Sequence, residues 1–127
     1  MRILVGTNDF DGASTFYRDT LGFEVVEHWD DPDGRGTLFR ASTNGVVEIV
    51  EDSPDHPARP PSGVTVAIEV DDADTMYARL LAAGVEIVEA LGDRPWGHRN
   101  FEIRDPNGLS LVFFAPVVDT GDGAEGR

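Results

Sequence analysis

Apolar residues recur along this chain in two rhythms, and the changes of rhythm mark its elements. Residues 1–6 form a short apolar run that predicts a strand. Phe10, Ala13, Phe16, Tyr17 and Leu21 then fall at helical intervals, giving one apolar stripe and a predicted helix over 10–20. Thr7-Asn8-Asp9 offers capping oxygens ahead of it, Gly12 is expected to weaken its first turn, and Gly22 is placed to end it in a left-handed conformation. Residues 23–29, 37–41 and 46–51 read as three strands. The turn clusters Asp30-Asp31-Pro32-Asp33-Gly34 and Thr43-Asn44-Gly45 separate them.

Residues 52–63 carry four prolines in twelve positions and no periodicity, the mark of a linker. Beyond it the order restarts. Residues 64–70 predict a strand, 72–83 a helix with a Met76, Leu80 and Ala83 stripe, Gly84 its stop, and 86–91 a strand. Arg94-Pro95-Trp96-Gly97 is a turn that displays an indole. Residues 98–104 and 109–114 then form a hairpin through Asp105-Pro106-Asn107-Gly108, a sequence suited to tight reversal. Set without gaps, residues 9–27 and 71–89 align Gly22 with Gly84, Glu24 with Glu86 and Val26 with Val88, which suggests an internal repeat. Residues 117–127 have little to bury and are expected to be disordered.

The PWG turn, the strand bearing Arg99 and Phe101, the DPNG turn and the apolar strand after it resemble the closing half of a module in the vicinal-oxygen-chelate superfamily. That superfamily groups glyoxalases, extradiol dioxygenases and bleomycin-resistance proteins, and the likeness is greatest to the bleomycin-resistance branch. The resemblance implies an α+β fold in which two βαβββ modules form a curved mixed sheet around a cleft. One domain would span 1–116, with module one over 1–51, the linker at 52–63 and module two over 64–116. One face of each sheet would pack under a helix while the other lines the cleft. Strand alternation then places Val47, Ile49, Val64, Val66, Ile68, Val70, Leu109, Leu111 and Phe113 in the packing. Glu48, Thr65, Ala67, Glu69, Ser110, Val112 and Phe114 face the cleft.

In metal-using members the ligands come from cleft-facing strand positions, which fall here on Arg2 (or Ile3 with a one-residue slip), Glu48, Thr65 and Val112. Only Glu48 could bind a cation. His28, His56 and His98 share no strand position and no metal-ligand spacing. No metal and no other cofactor is expected.

Composition narrows the choice of partner. At 127 residues the chain suits one domain, and 40% hydrophobic with 27% charged residues is ordinary for a globular protein. The net charge of −14 would repel a phosphate backbone, so nucleic acid is not expected. No apolar run approaches membrane-spanning length and no basic-then-apolar leader opens the chain, so the expectation is a cytoplasmic protein without membrane contact. The absence of cysteine removes disulfides and thiolate chemistry. There is no glycine-rich phosphate loop, and no serine sits where the pattern brings a histidine beside it.

The candidate site is assembled from Trp96, His98, Glu48, Trp29, Phe39, Thr65, Arg99, Val112 and Phe114. Trp96 would stack on a flat ligand or pack across a dimer interface. His98 is either a hydrogen-bonding turn residue or a ligand contact. Glu48, alone in an apolar strand, needs a buried partner such as Arg2 or a task. Trp29, Phe39, Phe101 and Phe114 are aromatic lining or core, and Arg99 is a strand ion-pair residue or a ligand contact. The first expectation is a metal-free binder, a homodimer as in the bleomycin-resistance branch, that sequesters an aromatic or cationic natural product. The alternative is an enzyme of the superfamily: a metal-dependent lyase or dioxygenase, or a metal-free isomerase with Glu48 or His98 as base. A structural dimer is the third.

Overall fold

The first helix starts where Asp9 accepts a hydrogen bond from the Gly12 amide at 3.1 Å and Thr7 Oγ1 accepts from the Asp9 amide at 3.0 Å. A methyl group on Gly12 would run into the Asp9 carboxylate. The glycine expected to weaken this turn thus makes room for its cap. In the computed structural model, which describes residues 1–55 and 57–117, α1 (Phe10–Thr15) runs into a single π turn (Phe16–Thr20) in which the Leu21 amide donates to the Phe16 carbonyl at 2.8 Å. His56 and, apart from Val117, the tail expected to be disordered lie outside the described residues. Asp72 caps α2 (Ala73–Ala82) by accepting from the Asp74 and Thr75 amides. Gly22 at φ 78° and Gly84 at φ 77° close the two helices in the left-handed region, as expected.

Each helix belongs to one βαβββ set. The first is β1 (Arg2–Thr7), α1, β2 (Glu24–Asp31), β3 (Gly34–Ser42) and β4 (Gly45–Glu51); the second is β5 (Thr65–Glu69), α2, β6 (Ile87–Asp93), β7 (His98–Arg104) and β8 (Ser110–Pro116). The sheets have the orders β1-β4-β3-β2 and β5-β8-β7-β6. Within them β1–β4 and β5–β8 are parallel and the other pairs antiparallel, so the α+β class and the paired modules expected from the resemblance are present. The chain forms two compact units. Of the described residues, one holds those of 1–64 together with the turn 105–109; the other holds 65–104 and 110–117.

In the first unit Val47, Ile49, Thr37 and Phe39 share the face under α1, and Tyr17 stacks on Phe39 with centroids 5.8 Å apart. The Tyr17 hydroxyl donates to Asp105 Oδ2 at 2.6 Å, while Asp105 Oδ1 accepts from the Asn107 and Leu109 amides. Burial, with the Asp105 charge behind it, pushes the Tyr17 hydroxyl far above the usual phenol range. In the second unit Val66, Ile68, Phe101, Ile103, Leu111 and Phe113 bury against Leu80 and Ala73.

Two face assignments need correction. Val64 is 57% exposed, because β5 begins only at Thr65 and leaves it outside the ladder. Leu109 is buried, yet in the turn that belongs to the first unit rather than on β8. β3 also starts three residues earlier than the sequence pattern suggests, since Arg35 accepts a place in the ladder and bonds Glu51 through its amide and guanidinium.

Candidate functional site

Opposite its helix, each sheet has a second face, and the strand register says what stands on it. In the second unit that face carries His98, Asn100, Glu102 and Arg104 of β7, Ser110, Val112 and Phe114 of β8, and Thr65, Ala67 and Glu69 of β5. Thr65, Val112 and Phe114 therefore stand on the face that alternation assigned them. His98 joins them: its imidazole lies parallel to the Phe114 ring, 4.4 Å between centroids and 18° between planes. Just before it, the Arg94 amide donates to the His98 carbonyl and the Gly97 amide to the Arg94 carbonyl, closing the turn that leaves Trp96 60% exposed. Gly97 takes φ 88°, which a side chain would strain.

Arg94 fixes that turn, a role the sequence reading did not assign. Its Nε donates to Asn100 Oδ1 at 2.7 Å and its Nη2 to the Ala90 carbonyl at 2.7 Å, with Glu89 3.6 Å away. Arg99 stands apart from His98. It lies on the helix side of β7, donating to Asp74 at 2.6 Å and Asp93 at 3.0 Å, and those charge-assisted bonds hold its guanidinium above its ordinary pKa. Neighbouring strand residues point to opposite faces, so His98 and Arg99 do not serve one site there.

The corresponding face of the first unit carries Arg2 and Leu4 of β1, Val46, Glu48 and Val50 of β4, and Leu38 of β3. Glu48 has the partner its surroundings require: Arg2 Nη1 lies 3.3 Å from its carboxylate. Trp29 is on this face too, half-buried over Gly36, where a methyl group would collide with the indole. Phe39 is not. Fully buried against Tyr17 on the helix side, it serves the core.

The positions that hold metal in the resembled enzymes do not suit a metal here. They present a guanidinium, a carboxylate already held by that guanidinium, a lone hydroxyl and a hydrocarbon side chain. Among the described residues no three His, Asp or Glu side chains converge as a metal site would need.

Two hollows of the first unit lie elsewhere. One, of about 460 Å³, follows the free edge of β1 past Leu4, Pro57 and Pro61. The other, of about 410 Å³, opens on the helix side and is bordered by Ser14 of α1 and His28 of β2. The sequence reading placed no serine beside a histidine. The two are fourteen residues apart on different elements, and a shift of register at Val25–Glu27 sets which face His28 takes. His28 Nδ1 bonds Thr37 Oγ1 at 3.0 Å, and Ser14 Oγ has no partner among the described residues. Among the described residues no helix is long and apolar enough to cross a membrane.

Known proteins place this geometry. The uncharacterized protein Mb0911c of Mycobacterium bovis is 39% identical over 54 residues, covering 42% of this chain and about a third of that protein, 36%. Among solved structures, TioX from Micromonospora sp. ML1 superposes with a TM-score of 0.75 at 24% identity, covering 92% of this chain and 98% of its own. TnmS3 from Streptomyces sp. CB03234, described as an antibiotic binding protein, gives 0.73 at 26% identity with 91% and 93% covered. The sequence itself matches a family description over residues 2–113, and by that match the chain belongs to the Glyoxalase/Bleomycin resistance protein/Dioxygenase superfamily.

Proposed function

We propose that this protein binds a small aromatic or cationic natural product without chemical change, sequestering it on the open sheet faces. The reading is carried by the parallel His98–Phe114 ring pair, together with the exposed indole of Trp96 two residues before His98. Stacked rings reward a planar ligand, and an indole gains further from a cation over its face. Glu69 and Glu102 share the face of that ring pair, and the chain's net charge of −14 draws cations toward it. The likeness to TnmS3, an antibiotic binding protein, supports an antibiotic as the ligand.

The test is tryptophan fluorescence in a Trp29→Phe background, where Trp96 is the only indole. Aromatic and cationic antibiotics, glycopeptides and enediynes among them, should quench it saturably, and Trp96→Ala should weaken binding about tenfold, as truncating a central aromatic anchor does. Quenching that depends on protein concentration alone would assign the indole to a second copy of the chain. No response across the panel would remove the proposal.

A further inference from the structure

The two halves correspond residue by residue, and that correspondence exposes a cavity in one of them. Asp11 and Asp74 are the second residues of α1 and α2, and each binds the arginine that stands second in β3 or β7, Arg35 at 3.1 Å and Arg99 at 2.6 Å. Counting on from these anchors, Ser14 corresponds to Tyr77 and Thr37 to Phe101. In the second half Tyr77 packs edge-on against Phe101, with 5.0 Å between centroids. In the first half a serine and a threonine stand at those places, and the hollow of about 410 Å³ borders both.

That space is not lined like a packing defect. Ser14 is 93% buried by its 7% exposure, and its hydroxyl has no hydrogen-bond partner among the described residues. His28 shares one ring nitrogen with Thr37 and leaves the other without a hydrogen bond among the described residues, and the Asp30 carboxylate at the rim has no partner among them. Phe10 and the exposed Val25 give the cavity an apolar wall. The two guanidiniums on its border are already engaged, Arg18 by Asp19 and Arg35 by Glu51 and Asp11, so an anion would gain little there. What is left to satisfy is a buried hydroxyl, an imidazole nitrogen and a free carboxylate.

We propose that this helix-side cavity of the first half is a second ligand site, separate from the open faces, for a small organic ammonium bearing hydroxyl groups, of the amino-sugar or aminoalcohol class. The hydroxyls meet Ser14 and His28, the ammonium meets Asp30, and the carbon skeleton lies along Phe10 and Val25. A hexosamine is of a size to fit.

Amide NMR of the full chain titrated with glucosamine tests this. Saturable shifts are expected over residues 10–18, 25–30 and 35–39, with the amides of 96–114 unmoved, so failure here is distinguishable from failure of the antibiotic reading. Glucosamine should bind about fivefold tighter than glucose, and Asp30→Asn should remove that margin, the worth of one solvent-exposed ion pair. Ser14→Tyr with Thr37→Phe, which copies the packing of the second half, should abolish the shifts. Absence of saturation, equal binding of glucose and glucosamine, or undiminished binding in a folded filled variant would each overturn the proposal. Asp30→Asn is a surface change and keeps the test decisive if the filled variant does not fold.

Discussion

Under α2 the second half packs Tyr77 edge-on against Phe101; under α1 the first half has Ser14 and Thr37 at the corresponding places, both bordering a hollow. The same places in one architecture thus hold a packed ring pair once and two small hydroxyl side chains once. A second difference runs beside it. Tyr17 and Leu80 are corresponding, fully buried helix residues, but Tyr17 carries a hydroxyl to Asp105 whereas Leu80 needs no polar partner. Under its helix the first half therefore buries polar groups, whereas the second half's buried polar residue among the described ones, Asn100, lies on the opposite face of its sheet and is held by Arg94. Polar groups under a helix cost stability unless each finds a partner, so the unpartnered Ser14 hydroxyl is a cost that a ligand in the hollow would offset.

Exchanging the packing gives the largest effect. Phe101→Thr should cost about 3–5 kcal/mol, because a buried ring is lost and α2 can close over the gap only in part. Urea unfolding measures it, and a loss under 1 kcal/mol would mean that the second half is not cohesive in the sense argued.

Next comes the buried bond of the first half. Asp105→Ala strands the Tyr17 hydroxyl and the Asn107 and Leu109 amides, and should cost about 2–3 kcal/mol; Tyr17→Phe, which leaves the two amides satisfied, about 1–2. The pH dependence has a definite sign. Since the folded-state pKa of Tyr17 is raised, its contribution is complete below the unfolded phenol value near 10 and is lost as pH rises beyond it, by about 1.4 kcal/mol per pH unit. Tyr17→Phe should flatten that alkaline limb in stability measured from pH 9 to 11.

The smallest effect tests the likeness of the halves rather than their difference. Arg35→Gln and Arg99→Gln each remove a strand-to-helix clamp, and both should lower the melting midpoint slightly at low salt and hardly at all at 1 M. The Arg35 guanidinium holds Glu51 below the usual carboxylate range, so its contribution is present above about pH 4 and fades as pH falls through the lowered value. Unequal responses would break the correspondence between the two arginines.

Much of this was legible from residue order. Gly22, Gly84 and the DPNG turn announced the boundaries, because only certain residues take those backbone angles, and Glu48 announced Arg2 because a lone carboxylate in an apolar strand needs a counter-charge. The π turn stayed hidden. Thirteen positions separate Asp9 from Gly22 but twelve separate Asp72 from Gly84, so a gap-free match of the halves slips by one at the helix starts and conceals that Ser14 answers to Tyr77. For Phe39 and Arg99 residue type alone leaves lining or core, and ligand contact or ion pair, open; register puts both on the helix side, Phe39 in the core and Arg99 in ion pairs. The cavity depends on a missing bulk, and a sequence read alone has nothing to compare that bulk with.

The 105–109 turn has one more implication, for anyone who would cut the gene in two. A fragment ending within the proline-rich connection would carry every strand of the first sheet and still lack the carboxylate that receives the Tyr17 proton donor. However alike the two modules are, the earlier one completes its buried hydrogen bonding only with this loop from the later stretch of chain.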